Sequence, residues 1–374
     1  QMSKLFYERF INEEDITLFS PHAVPGLYDA FGTDKFDALY KKYEKDKSIP
    51  KKTIAAQELF ADLLKERAET GRIYIMNIDH SNSHSSFKDK VSMSNLCQEI
   101  TLPTTPIKGI DDPDGEIALC ILSAINVGAI GNLNELETLC DLSVRALDEI
   151  IELQDYPVKA AEVSTKSRRS LGIGYIGLAH YLAKNGVKYS DPKAWELVDR
   201  LSEAFQYYLL RASCDIAEEK GKCSAFDRTK YADGLLPIDH YKKEVDEIVV
   251  HKQRMAWETL RKDILKYGLR HSTLSAQMPS ESSSVVSNET NGIEPPRALL
   301  SIKKSKKGPL KQIVPGFPNL KNAYTLLWDM GSNEGYIKIV SVMQKYFDQA
   351  ISGNWSYNPL QFENNEVPLS VMAQ

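Results

Sequence analysis

Glu116-Ile-Ala-Leu-Cys-Ile-Leu-Ser-Ala-Ile-Asn-Val-Gly128 is an almost unbroken apolar run. A strand shielded from water on both faces reads this way, and such strands belong to parallel sheets covered by helices. Around this run amphipathic helices alternate with apolar strands, so the expected fold class is α/β. Helices are expected over 54 to 68, 133 to 153, 194 to 219 and 336 to 351, with Arg72-Ile-Tyr-Ile-Met-Asn77 as a strand after the first. Leu136, Leu139, Cys140, Leu147, Ile150 and Ile151 recur at helical spacing, which makes Cys140 core; Cys214 sits similarly in the next helix, and Cys223 follows its Gly221 stop. Residues from 224 to 268 are more polar and end in an amphipathic helix around Trp257, Leu260 and Ile264, closed by Gly268. The expected organisation is a portion over 1–223, a small inserted α+β subdomain over 224–268, and a continuation over 269–374.

The chemistry concentrates in Ser94-Asn-Leu-Cys-Gln-Glu-Ile-Thr-Leu102. If this run is extended, Asn95, Cys97 and Glu99 share one face while Leu96, Gln98, Ile100 and Leu102 point the other way. A thiol can be a nucleophile, a redox partner or, once oxidised, a hydrogen-atom acceptor, and a carboxylate two residues away can move a proton in each case. An edge strand with a stray cysteine is the plainer alternative. Cys120 places a second thiol inside the long apolar run, close in sequence to the first. Further along, Met278-Pro-Ser-Glu-Ser-Ser-Ser284 closes the strand-like 270 to 276. Hydroxyls at a helix start, together with unpaired backbone N–H groups, form an arrangement that holds phosphate, although serine runs are also plain loops.

These stretches resemble the large catalytic subunit of class I ribonucleotide reductase along essentially the whole chain. The most specific pieces, in the family's order, are Asn95-Leu-Cys-Gln-Glu99, Leu119-Cys-Ile-Leu-Ser-Ala124, Ser272-Thr-Leu-Ser-Ala-Gln-Met-Pro-Ser-Glu281 and Asn291-Gly-Ile-Glu-Pro-Pro296. The resemblance implies that the chain supplies the second half of a ten-stranded α/β barrel, with a central finger loop carrying Cys97. It implies that Cys97 becomes a thiyl radical that takes hydrogen from C3′ of the ribose, that Glu99 is the base at the 3′-hydroxyl, and that Asn95 binds near the 2′ and 3′ hydroxyls. Cys120 would be one of two thiols that reduce the sugar and end as a disulfide, and Ser280, Glu281, Ser282 and Ser283 would cradle the diphosphate of a ribonucleoside diphosphate. No cofactor is expected in this chain itself. A metal-containing, radical-generating small subunit would supply the oxidising equivalent, and thioredoxin or glutaredoxin the external reductant, within a larger oligomer.

The second reducing cysteine, the regulatory regions, the tyrosine relay and the terminal re-reducing cysteines of that family have no counterpart here. The expectation is thus the C-terminal part of a split or cleaved large subunit, needing a complementary N-terminal polypeptide and inactive alone. With 374 residues, 42% apolar content, net charge −5 and five cysteines in no paired spacing, the expected setting is cytoplasmic, with neither a membrane nor nucleic acid as partner.

Other signals are weaker. Gly172-Ile-Gly-Tyr-Ile-Gly177 matches the dinucleotide-binding spacing but follows Lys166-Ser-Arg-Arg-Ser170 where an apolar strand belongs, so close backbone packing is the better expectation. His80 and His84 have a metal-compatible helical spacing, but the hydroxyls around them favour a loop without a metal. Lys303-Lys-Ser-Lys-Lys307 before Gly308-Pro309 reads as a solvated turn. Two rival functions remain: a cysteine-nucleophile hydrolase or transferase, which needs a histidine beside Cys97, and a non-catalytic assembly or nucleotide-binding fragment.

Overall fold

The computed structural model describes residues 1–305 and 308–373. In chain order its principal elements are α1 (Lys4–Ile11), β1 (Asp15–Phe19), β2 (Lys51–Ala55), α2 (Ala56–Thr70), α3 (Ile78–His84), β3 (Ile121–Asn126), α4 (Glu135–Leu153), α5 (Lys159–Arg168), β4 (Leu171–Ile176), α6 (Pro192–Lys220), α7 (Trp257–Tyr267), α8 (Glu281–Val286), β5 (Leu300–Ser305), β6 (Gly308–Ile313) and α9 (Glu334–Gln344). The fold is α/β, as expected.

The functional frame is an open arc of parallel extended segments. β3 pairs with β4 in register from Ile121 opposite Leu171 to Asn126 opposite Ile176. β4 bridges to Ser275 through Ile173, and Gln277 bridges to Ile351, both in parallel. Parallel neighbours need long crossovers, and the helices supply them: α4 and α5 connect β3 to β4, while α6 and α7 lie between β4 and the 273–277 segment. α6 is the hub of the helical layer, with α4, α7 and α9 packed against it. Its first helical residue is Pro192, and Gly221 ends it at φ +89°.

β4 is buried along its whole length, and its glycines set the spacing of the arc. A Cβ on Gly174 would stand 2.7 Å from the Ala276 carbonyl oxygen, and one on Gly172 would stand 2.8 Å from Cys120 Sγ. The glycine-rich stretch is itself the strand, and close packing accounts for it.

The main core joins β3, β4, α4, α6, α7 and α9, and holds Cys140, Cys214 and Cys223 as buried packing residues. Phe226, Tyr231, Ile238, Trp257, Leu260 and Ile264 belong to this same core. The 224–268 region therefore packs into the main body, and the described residues there hold short helices and an isolated bridge at Thr229 rather than the expected strands. A separate cluster around Leu5, Phe6, Ile16, Tyr40, Phe60 and Leu64 holds the first seventy residues, where β1 and β2 form an antiparallel pair.

Several local expectations are corrected. The strand in the long apolar run covers only Ile121–Asn126, and Leu119 and Leu122 are exposed, so it is not buried on both faces; among the described residues β4 is its only strand partner. The 72–77 stretch has a single bridge, Met2 to Asn77, instead of a strand ladder. His80 and His84 lie in a helix, α3, because Ser81 Oγ donates back to the Asn77 carbonyl at 3.0 Å and so is absorbed within the turn. The helix expected to reach 351 stops at Gln344, since Asp348 to Ile351 are drawn into the arc. The lysine-rich stretch forms part of the β5–β6 hairpin, and Lys306 and Lys307 lie outside the described residues. No helix among the described residues is long and apolar enough to cross a membrane.

Candidate active site

The 94–102 segment is a tight loop rather than an extended strand. Asn95 Oδ1 accepts from the Ile100 amide at 3.1 Å, Gln98 N donates to the Asn95 carbonyl at 3.2 Å, and Gln98 takes φ +66°. That left-handed residue, unusual outside glycine, breaks the alternation of faces that an extended run would have. Cys97 stands half-buried in the turn, while Leu96 beside it is 78% exposed. The loop is seated by Ile100 and Leu102, which pack with Phe87 and Ala276 over Ala118 and Cys120. This apolar floor brings Cys120 beneath the loop.

Glu99 is 3% exposed, and its Oε2 has no hydrogen-bond partner among the described residues. Burial, followed by the Glu99 charge, pushes the Cys97 thiol above its ordinary pKa. Burial also pushes Cys120 up strongly; a hydrogen bond from Gln349 opposes this, and the charges of Asp348 and Glu99 add to it. One carboxylate thus acts on both thiols, and both are held as S–H at neutral pH.

The 348–350 segment was not singled out in the sequence, and it fixes the back of the site. Asp348 is buried and accepts from Thr273 Oγ1 at 2.8 Å, Tyr231 Oη at 2.7 Å and the amides of Leu274 and Ser275. Gln349 Oε1 accepts from the Thr101 amide at 3.3 Å, and its Nε2 donates to the Leu171 carbonyl at 2.8 Å and to Cys120 Sγ at 3.8 Å. The Ala350 amide donates to the Glu99 carbonyl at 3.1 Å. The only sequence signal for this role was a polar pair, Asp348-Gln349, inside an apolar stretch expected to be helix.

Ser280 precedes α8 and is buried, its hydroxyl donating to the Met278 carbonyl at 3.4 Å. Glu281, Ser282 and Ser283 form the exposed first turn, while Ser284 turns inward and donates to the Ser280 carbonyl at 2.8 Å. The Asn291 loop lies against this turn: a Cβ on Gly292 would be 3.5 Å from Ser280 Oγ, and Gly292 accepts from the Leu178 amide at 3.2 Å. The structure thus gathers Cys97, Glu99 and Cys120 into one neighbourhood. It gives the serine turn exposed hydroxyls at a helix start.

A family model described as "Ribonucleotide reductase, barrel domain" matches residues 1–373. The ribonucleoside-diphosphate reductase subunit alpha of Haemophilus influenzae is 56% identical over 379 residues, covering 100% of this chain and 50% of that protein. The ribonucleoside-diphosphate reductase 1 subunit alpha of Escherichia coli is 54% identical over the same length with the same coverage, and the subunit alpha of Enterobacteria phage T4 is 42% identical over 382 residues. The chain spans about half the length of these relatives. With a loop thiol, a buried carboxylate and a second thiol gathered on a parallel α/β frame, and with the match running from end to end, the chain belongs to the ribonucleotide reductase barrel-domain family.

Proposed function

We propose that this chain is the catalytic portion of a ribonucleoside-diphosphate reductase, reducing ribonucleotides to 2′-deoxyribonucleotides by thiyl-radical chemistry. The observation that carries this reading is the Glu99 carboxyl group, buried, with one oxygen unpartnered among the described residues and its charge felt at both Cys97 and Cys120. Leaving such an acceptor without a donor costs on the order of 1–3 kcal/mol. A substrate hydroxyl would remove that cost, which is what a base at the ribose 3′-hydroxyl requires.

In this reading Cys97 Sγ, as a radical, takes the hydrogen atom from C3′, and Glu99 receives the 3′-hydroxyl proton. Asn95, whose Oδ1 is occupied by Ile100, offers its amide nitrogen to the 2′ and 3′ hydroxyls. Cys120 gives up reducing electrons together with a second thiol from outside this chain. Ser280, Glu281, Ser282 and Ser283 hold the diphosphate through backbone N–H groups and hydroxyls. The metal centre of a partner small subunit supplies the one-electron oxidation, and thioredoxin or glutaredoxin restores the thiols.

The raised pKa of Cys97 favours this reading over hydrolysis. A nucleophilic cysteine is activated by a cation or a histidine that lowers its pKa. The Cys97 thiol is shifted the other way, and His84 bonds to the Phe347 carbonyl at 2.8 Å instead of to sulfur. A radical also needs shelter from solvent and reductants. The exposure of Leu96, and of Leu119 and Leu122 at the β3 edge, supports a complementary polypeptide closing over this face to complete a ten-stranded barrel.

The test combines the chain with the complementary polypeptide, a radical-generating subunit and a thiol reductant, and follows conversion of a ribonucleoside diphosphate to its deoxy form. Product is expected only from the full mixture, with at least a thousandfold loss in Cys97→Ser. Substrate binding without turnover from a verified assembly would instead favour the non-catalytic binding reading.

A further inference from the structure

We propose that Gln349 is a positioning residue that locks the Cys120 thiol to the 94–102 loop at Thr101. Its use in turnover rests on the reductase reading, but the contact itself does not.

Gln349 is 3% exposed, and both ends of its amide are spent on the site. Oε1 takes the Thr101 amide, two residues beyond Glu99, while Nε2 is shared between the first carbonyl of β4 and Cys120 Sγ. The backbone of Gln349 is held in turn, its amide donating to the Ser275 carbonyl at 3.1 Å. Asp348 fixes the preceding residue through Thr273, Leu274, Ser275 and Tyr231. A buried amide fully committed in this way has one rotamer that satisfies all its partners.

The thiol also packs against Gly172, where any Cβ would press to 2.8 Å from Sγ. The sulfur is therefore in contact with both a bare backbone and a fixed N–H donor. A donor on sulfur favours the electron-rich form of the thiol and directs its S–H away from Gln349. It also ties the two halves of the reaction, the loop carrying the base and the reducing thiol, through one side chain that bonds to both, beside the apolar packing of Ile100 and Leu102.

The test uses the full assembly carrying Gln349→Met, which keeps length without a donor, and Gln349→Glu, which keeps the acceptor and loses the donors. The rate of Cys120 alkylation by iodoacetamide at pH 9 is read by mass spectrometry, with Cys97 as the internal reference. The expected result is at least a threefold slower reaction at Cys120 in both variants, slower still in Gln349→Glu, together with a lower kcat at unchanged KM. Mere loosening of the packing would speed alkylation, so an unchanged or faster rate overturns the proposal. In the unsubstituted assembly the Thr101 amide should be protected from hydrogen exchange; random-coil exchange there overturns the proposal even if neither variant folds. A slowed Cys120 in an assembly that makes no deoxynucleotide would retain the positioning role and reject the reductase reading, whereas an active assembly with an unshifted Cys120 would reject the positioning role alone.

Discussion

At Cys97 the thiol lies half-buried next to the buried Glu99, and burial together with that negative charge favours the protonated sulfur. This suits hydrogen-atom transfer, in which proton and electron leave the sulfur together, and is poor for nucleophilic attack. Cys120 is held protonated more strongly still, beneath the loop and under Gln349. If Cys97 starts the chemistry and Cys120 supplies reducing electrons, Cys120→Ser should still consume the partner's radical on adding substrate yet make less than about a hundredth of the deoxynucleotide. Radical loss is followed by electron paramagnetic resonance and product by chromatography; normal product formation would remove Cys120 from the reducing role. Asn95, Cys97, Glu99 and Cys120 could be singled out because they lie in two short runs, and the roles proposed for them come from the family resemblance of those runs. Gln349 could not, because its contact with Cys120 spans 229 residues and arises only once the arc has formed.

Among the elements, β4 shows how close packing is written in glycine. Adding a methyl at Gly174 meets the Ala276 carbonyl at 2.7 Å and Gln277 Oε1 at 3.1 Å, and a backbone oxygen within the arc has little room to retreat. Gly174→Ala should therefore lower stability by about 1–3 kcal/mol, read as a drop in chemical-denaturation midpoint; an unchanged midpoint would mean that the arc is more widely spaced. α3 carries a pH-dependent tie. His84, bonded to the Phe347 carbonyl, has its pKa lowered to about 4 by burial, against 6.5 in the unfolded chain. Below pH 6.5 the unfolded state binds a proton that the folded state refuses, so stability falls as pH drops from about 6.5 towards 4, by roughly 3 kcal/mol at most for this group. His84→Gln should flatten that part of the stability profile, and an equally steep acid loss in the variant would assign it elsewhere. The periodic helices α4, α6 and α7 were readable from spacing alone. Among the elements misread, the end of α9 was decided by a distant partner, Asp348 collecting donors from 273–275, whereas the 94–102 loop was closed locally by the Asn95 side chain on the Ile100 amide.

On the scale of the whole molecule, the parallel segments form an open arc. Parallel segments run from β3 through β4 and 273–277 to 349–351, and the loop thiol stands on them with Leu96 open to solvent. The α/β class followed from apolar runs alternating with amphipathic helices. Barrel closure did not, and among the described residues β3 pairs only with β4. If Cys97 removes hydrogen from C3′ of a ribonucleotide, as proposed, a substrate deuterated at that carbon tests the step most directly. In single turnovers of the reconstituted assembly, deuteration should slow deoxynucleotide formation by at least about twofold whenever hydrogen abstraction limits the rate, and Cys97→Ser should form no product with either isotope. Undiminished turnover in Cys97→Ser would contradict the claim outright.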